Sequence, residues 1–309
     1  MRIVVHGQQA FGKSVLEALL ERGEDVIAVY CAPEPAQGGG RMDPLKEAAL
    51  AHHLPVYQPR SFRNKPEVWE AFAQLKADLC VMAYVTLFVP EEMLNLPTHG
   101  TIQYHPSLLP RHRGPSAINW PIIWGETRTG LTIFWPDNGL DTGPILLQKE
   151  VEILDTDTVG SLYFERLYPL GVTAMLEAVD LVRAGRAPKI PQDESQATYE
   201  GWCKQEHVQI EWRRPLQEVW NLIRGADPQP GAWSTYNGTT VQLYDAKKLV
   251  GSSAGTPGEV LAVSDTSITV AANGGQIEVR RVRLAGGAKI SAGTFAQQVG
   301  LTPGARLGA

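Results

Sequence analysis

Residues 3–30 read IVVHGQQAFGKSVLEALLERGEDVIAVY. A short apolar run, residues 3–6, stops at Gly7. Residues 11–22 then place Val15, Leu16, Leu19 and Leu20 on one helical face, and residues 25–30 return to an apolar run. This change of period predicts strand, helix, strand. Two apolar strands joined through a helix form a right-handed βαβ unit, with the strands parallel in one sheet.

The alternation continues outward from that stretch. Asp43-Pro44 is a helix start, with Asp43 as N-cap and Pro44 in the first turn of a helix running to about Ala51. Strands are expected over residues 54–57, 79–83, 101–104, 131–135 and 145–151, and helices over 68–75 and 158–184. Pro188, Pro191 and the polar residues 192–196 read as a linker. Beyond it come one helix, 215–223, and strands over 232–236, 239–246, 258–263, 267–271 and 276–284. Gly and Asn punctuate these strands, which suggests a small barrel. The fold class is therefore α/β: a mainly parallel sheet in residues 1–200 and a smaller β-barrel domain in residues 201–309.

A chain of 309 residues accommodates two such domains. Its net charge of −5 argues against a nucleic-acid-binding surface spread over the whole molecule. The C-terminal part, residues 201–309, is slightly basic, with 11 Lys and Arg against 8 Asp and Glu; a solvated mixed-charge face explains this equally well. Cys31, Cys80 and Cys203 form no CxxC pair, so neither a disulfide framework nor a zinc site is indicated. The N-terminus runs straight into a strand rather than a signal peptide, and no apolar stretch approaches membrane-spanning length. A cytoplasmic, reduced location with no membrane partner is expected.

Residues 7–14, Gly7-Gln8-Gln9-Ala10-Phe11-Gly12-Lys13-Ser14, satisfy the GxxxxGK[ST] pattern of phosphate-binding loops. A P-loop NTPase is thus a distant alternative. That loop works by turning successive backbone N–H groups around phosphate oxygens, which favours small residues. Gln8, Gln9 and Phe11 fill it instead, so an ordinary βα turn with Phe11 under the sheet is the better reading. A dinucleotide site has weaker support still, because the spacing is not GxGxxG and the second strand ends in Tyr30-Cys31 rather than an acid.

Chemistry points elsewhere. Residues 105–110 read His105-Pro106-Ser107-Leu108-Leu109-Pro110, and residues 137–143 read Asp137-Asn138-Gly139-Leu140-Asp141-Thr142-Gly143. Gln103 and His105, two apart on a strand, share a face at its carboxyl end, and Pro106 ends the strand, placing His105 at the sheet's margin. A lone histidine beside an apolar strand is ordinarily a satisfied core residue. Two acids in a glycine-punctuated loop are as readily turn residues as catalytic ones.

Together these two stretches resemble the N10-formyltetrahydrofolate-using formyltransferases and, most closely, the hydrolase domain of 10-formyltetrahydrofolate dehydrogenase. The resemblance covers nearly the whole chain. It includes Pro110-Arg111-His112-Arg113-Gly114, Ala197-Thr198-Tyr199-Glu200-Gly201 and Ile223-Arg224-Gly225. It implies a Rossmann-like catalytic domain, an OB-like C-terminal barrel, and catalytic roles for His105 and Asp141. Formyltransferases acting on amines usually carry Asn where this chain has Gln103; the hydrolase domain also lacks that Asn. The implied reaction is hydrolysis of 10-formyltetrahydrofolate to tetrahydrofolate and formate, with formyl transfer to an amine (sugar, amino acid or methionyl-tRNA) as the alternative. Neither needs a metal or NAD(P). The implied folate contacts are Leu87, Phe88, Val89, Tyr84, Ile102, Trp135, Asp137 and Gly139, although Leu87 to Val89 could equally be core after a strand. Arg111 and Arg113 could meet the acidic tail of folate, an acidic substrate, or only solvent. Methionyl-tRNA fits less well, because residues 32–41 hold one basic residue, Arg41, where a tRNA-gripping insertion would be rich in Lys and Arg.

Overall fold

The computed structural model describes residues 1–34, 41–251 and 255–308. Residues 35–40, most of the segment weighed above for tRNA contact, lie outside the described residues. In chain order the first elements are β1 (Arg2–Gly7), α1 (Gln9–Glu21), β2 (Asp25–Cys31), α2 (Pro44–Ala51), β3 (Val56–Tyr57), α3 (Pro66–Gln74), β4 (Leu79–Ala83) and α4 (Glu91–Leu94). They are followed by β5 (Thr101–His105), α5 (Asn119–Ile123), β6 (Arg128–Phe134), β7 (Ile145–Glu152), α6 (Val159–Ser161) and α7 (Tyr168–Arg183). The chain forms two compact units, the first comprising Met1–Gly114, Gly130–Val151 and Glu165–Tyr199, the second Pro115–Thr129, Glu152–Phe164 and Glu200–Ala309.

The first unit is built on a seven-stranded sheet of order β3-β2-β1-β4-β5-β6-β7. β1 to β5 are parallel where they pair, and β6 runs antiparallel to β5. The order reverses direction between β1 and β4, and ligands of open α/β sheets collect near such a switch, outside the carboxyl ends of the strands. The strands are apolar on both faces because helices cover both. Ile3, Val5, Val81, Ile102 and Tyr104 pack under Leu16 and Leu19 of α1, Leu45 of α2, and Met175 and Ala178 of α7. Val4, Tyr30, Cys80 and Met82 face the other way, onto Phe62, Phe72, Met93 and Leu94. Alternation along each strand divides the two sets. Cutting Leu16, fully buried, to alanine would cost about 2–5 kcal/mol.

The turn that resembles a phosphate loop is closed by its own structure. The Asp43 carboxylate accepts from the Gln9 amide at 2.9 Å and from the Leu45 amide at 2.9 Å, so one side chain caps the start of both α1 and α2. The Gln8 amide donates to the Ala83 carbonyl. Phe11 is buried against Tyr104 and Tyr168. The Gln8, Gln9 and Gly12 amides, three of the donors a phosphate would need, thus already have partners.

A single helix over residues 158–184 is not what forms. α6 gives way to a π-helical stretch, Leu162–Leu167, before α7 begins. Pro169 lies in the first turn of α7 and has no N–H to continue an upstream ladder.

The second unit holds α8 (Leu216–Gly225), β8 (Trp233–Tyr236), β9 (Thr239–Val250), β10 (Val260–Val263), β11 (Ile268–Ala272), β12 (Gly275–Leu284), β13 (Ile290–Ser291) and α9 (Ala292–Val299). Its strands form an antiparallel half-barrel of order β10-β11-β12-β9-β8, with β13 added to β12. Trp220 and Ile223 of α8 and Phe295 of α9 fill it against Val241, Leu243, Val270 and Ile277. α9 has no counterpart among the sequence expectations. Its short span holds Ala292, Phe295, Ala296 and Val299 at helical spacing, between the cap at Ser291 and left-handed Gly300, so the signal is present but brief.

Candidate active site

β5 brings the first residues of the site. Thr101, Gln103 and His105 lie on one face, and Ile102 and Tyr104 on the other. His105 ends the strand, but β5 is an interior strand: β4 pairs on one side and β6 on the other, where His105 lies opposite Thr132. Pro106 thus ends β5 without exposing its flank. The turn after it is pinned to β6 by fully buried Thr132, whose hydroxyl donates to the Ser107 carbonyl (2.7 Å) and accepts from the Leu109 amide (3.1 Å).

His105 is 6% exposed, and its Nε2 lies 2.8 Å from the carbonyl of His112. A carbonyl only accepts, so Nε2 carries the proton, and in the neutral ring Nδ1 is an acceptor. Nδ1 faces Asp141 Oδ2 at 3.6 Å, beyond direct hydrogen-bond length. Asp141 is 9% exposed and accepts from the Gly114 amide at 2.8 Å through the same oxygen. Two buried acceptors therefore converge without satisfying each other. Gln103 is half-buried on the same face as His105, and its side chain has no hydrogen-bond partner among the described residues.

Asp141 is placed by a tightly closed loop. The Asp137 carboxylate accepts from the Gly139 amide (3.0 Å) and the Thr142 hydroxyl (2.6 Å). A Cβ at Gly143 would fall 1.7 Å from the Trp135 carbonyl, so only glycine lets the chain pass there. Asp141 itself adopts the left-handed region, φ 57°, as does His112 at φ 56°.

Arg113 corrects a sequence expectation. It is fully buried, bonded to Glu194 at 2.6 Å and 2.9 Å and to Gln192 Oε1 at 2.8 Å, with Tyr199 against it. It is thus not available to an acidic ligand. The cause is the segment over residues 192–199, whose polar residues 192–196 read as a linker but fold back onto this loop: the Thr198 hydroxyl accepts from the His112 amide, and the Gln192 amide donates to the carbonyls of Asp141 (2.9 Å) and Gly143 (2.7 Å). Sequence reasoning assigned no role to Gln192 or Thr198. The one signal was the Ala197–Gly201 stretch among the family-like segments.

The residues named for folate contact divide. Tyr84 and Phe88 are exposed, with the Arg63 guanidinium 4.7 Å over the Phe88 ring. Leu87 lines a small cavity with His6, Gln8, Val85 and Thr86. Asp137 and Gly139 share the Asp141 loop. Val89 is buried among Cys80, Met82 and Met93. Ile102 and Trp135 belong to the core under α1 and α7, and the Trp135 ring nitrogen donates to the Pro188 carbonyl.

The formyl transferase family model matches residues 1–179, and the model of the formyl transferase C-terminal domain matches residues 203–300. A mitochondrial 10-formyltetrahydrofolate dehydrogenase of Mus musculus is 44% identical over 256 residues, covering 82% of this chain and 27% of that protein. The chain spans about a quarter to a third of the dehydrogenases it matches. A methionyl-tRNA formyltransferase of Trichlorobacter lovleyi is 38% identical over 297 residues, covering 95% of this chain and 93% of that one. Among solved structures, HypX from Aquifex aeolicus in complex with tetrahydrofolic acid aligns with a TM-score of 0.72 over 96% of this chain and 47% of that one; at 22% identity the likeness is one of fold. With both of its units matched, and with His105 and Asp141 meeting at the carboxyl end of β5, the chain belongs to the formyl transferase family.

Proposed function

We propose that this protein hydrolyses 10-formyltetrahydrofolate to tetrahydrofolate and formate, the chemistry residing in residues 1–200 with residues 201–309 as a separate β domain. The observation that carries the reading is the unsatisfied pair, Nδ1 of His105 and Oδ2 of Asp141, 3.6 Å apart and both nearly buried. A water within reach of both can donate one hydrogen to each, leaving its lone pairs free to attack. Attack on the formyl carbon forms a C–O bond and a tetrahedral oxyanion. His105 accepts the water's proton at Nδ1, the resulting imidazolium faces the Asp141 carboxylate, and the proton passes to N10 of the folate as the C–N bond breaks. The Gln103 amide, without another partner among the described residues, would donate to the developing oxyanion.

Tyr84, Leu87, Phe88 and the Asp137–Gly139 turn supply the apolar and polar surface a pterin needs. Ile102 and Trp135 would support that surface through packing. No step requires a metal or a nicotinamide. A cytoplasmic location is part of the same proposal; the relatives' names include both cytosolic and mitochondrial forms. Among the described residues, no helix is long and apolar enough to cross a membrane.

One finding favours a second reading, formyl transfer to an amine: the methionyl-tRNA formyltransferase matches over nearly the full length of both chains. An amine occupying the water's place would use the same pair. Incubation with 10-formyltetrahydrofolate, with and without sugar amines, amino acids and methionyl-tRNA, separates the two. Free formate at the same rate in every arm supports hydrolysis. Formylated amine at the expense of formate supports transfer.

A further inference from the structure

We propose that Gln192 is a positioning residue that sets the distance between His105 and Asp141; this rests on the acid–base reading above. Both partners of the pair depend on a residue in the left-handed region. Asp141 is one such residue, and His112, whose carbonyl holds His105 Nε2, is the other. Non-glycine residues persist there only where their surroundings over-determine them. One segment supplies that constraint to both. Gln192 Nε2 donates to the carbonyls of Asp141 and Gly143, while its Oε1 accepts from Nε (3.1 Å) and Nη2 (2.8 Å) of buried Arg113. Arg113 follows His112 in the chain, and its own amide donates to the Thr198 carbonyl. The amide side chain of Gln192 thus joins the loop that places the imidazole to the loop that places the carboxylate. It touches neither reacting group.

The geometry requires a glutamine rather than any polar residue. Arg113 presents donors only, so the atom facing it must accept, and the two carbonyls of the Asp141 loop accept only, so the atom facing them must donate. Glutamate keeps the size and a strong acceptor for Arg113 but cannot donate to Asp141 or Gly143. Q192E is therefore a variant that retains the ion-pair cluster and severs the bridge.

The test compares wild type, Q192E and Q192A on 10-formyltetrahydrofolate, following formate and formylated amine together, with thermal unfolding alongside. A misplacement of about 1 Å costs on the order of 10²-fold. The expected result is kcat down 10- to 100-fold in both variants, KM for the folate within about threefold, and a single cooperative unfolding transition in both, lowered in Q192E because two carbonyls lose their donor. Wild-type kcat in Q192E would overturn the proposal, since Arg113 would then need only an acceptor; so would a loss confined to KM. A second readout needs no turnover. The Cε1–H resonance of His105 in the folate-free protein should move in Q192E, and an unmoved resonance defeats the positioning role even if wild type proves inactive on this substrate. Inactive wild type with a moved resonance removes the reaction assigned above and leaves the bridge.

Discussion

His6 and His105 occupy similar places. Each lies at the carboxyl end of a neighbouring region of one sheet, on the same face, and each is nearly buried, at 4% and 6% exposure. Their surroundings differ in kind. His6 is walled by Phe62, with ring centroids 5.0 Å apart, and by Tyr30, and has no hydrogen bond among the described residues. Burial pushes its pKa down to about 3, so it is neutral and packs as an aromatic ring. His105 has a carbonyl on one nitrogen and a carboxylate facing the other. Burial alone does not make a histidine chemical. A carbonyl on one nitrogen fixes the tautomer, and a carboxylate facing the other would stabilise the imidazolium that the proposed reaction forms.

The strongest way to break this comparison is to remove each ring. His105→Ala and Asp141→Ala should each lower formate release by about 10²–10⁴-fold, the range for general acid–base groups. His6→Asn should stay within about threefold. Equal losses at both histidines, measured by steady-state kinetics, would erase the distinction.

His6 has its own signature in stability. Its folded pKa lies below the unfolded value near 6.5, so below pH 6.5 the unfolded chain takes up a proton that the folded chain refuses. The sign follows: its contribution is fully present above pH 6.5 and is lost as pH falls toward 3. Between pH 7 and pH 4.5 this costs about 2–3 kcal/mol. Urea unfolding at both pH values should show wild type losing that much more stability than His6→Asn. Parallel losses would mean the ring has a proton acceptor after all.

The turns that follow the two strands sharpen the contrast. Asp43→Ala removes the cap shared by α1 and α2 and should destabilise the protein by about 1–2 kcal/mol, with kcat unchanged per folded molecule. ATP should give no thermal shift in either protein. The smallest effect belongs to Gln103→Asn. Shortening the amide by one methylene should change the ratio of water to amine as acceptor by a few-fold, and an unchanged ratio would remove Gln103 from the mechanism.

Much of this was open to sequence reasoning, for identifiable reasons. Residues 79–83 read as the strand they form, since a short apolar run between helical patterns admits little else. Asp43-Pro44 marked the start of α2 correctly because capping is local chemistry. Where chemistry was non-local the reading failed. The polar run after Pro191 looked like a connector, yet its bonds to Arg113 and Asp141 span 79 and 51 residues, a relation that no local pattern encodes. Arg113 looked solvated for the same reason. His6 and His105 could not be told apart by burial or period at all; only the family-like stretch around residues 105–110 distinguished them.

The clasp formed by Gln192 and Thr198 also bears on where the catalytic half of this protein ends. The formyl transferase model stops at residue 179, short of both residues. A fragment trimmed to that limit would keep the sheet, His105 and Asp141 while discarding the residues proposed to brace them, and on that proposal it should fold around the same sheet yet lose its turnover.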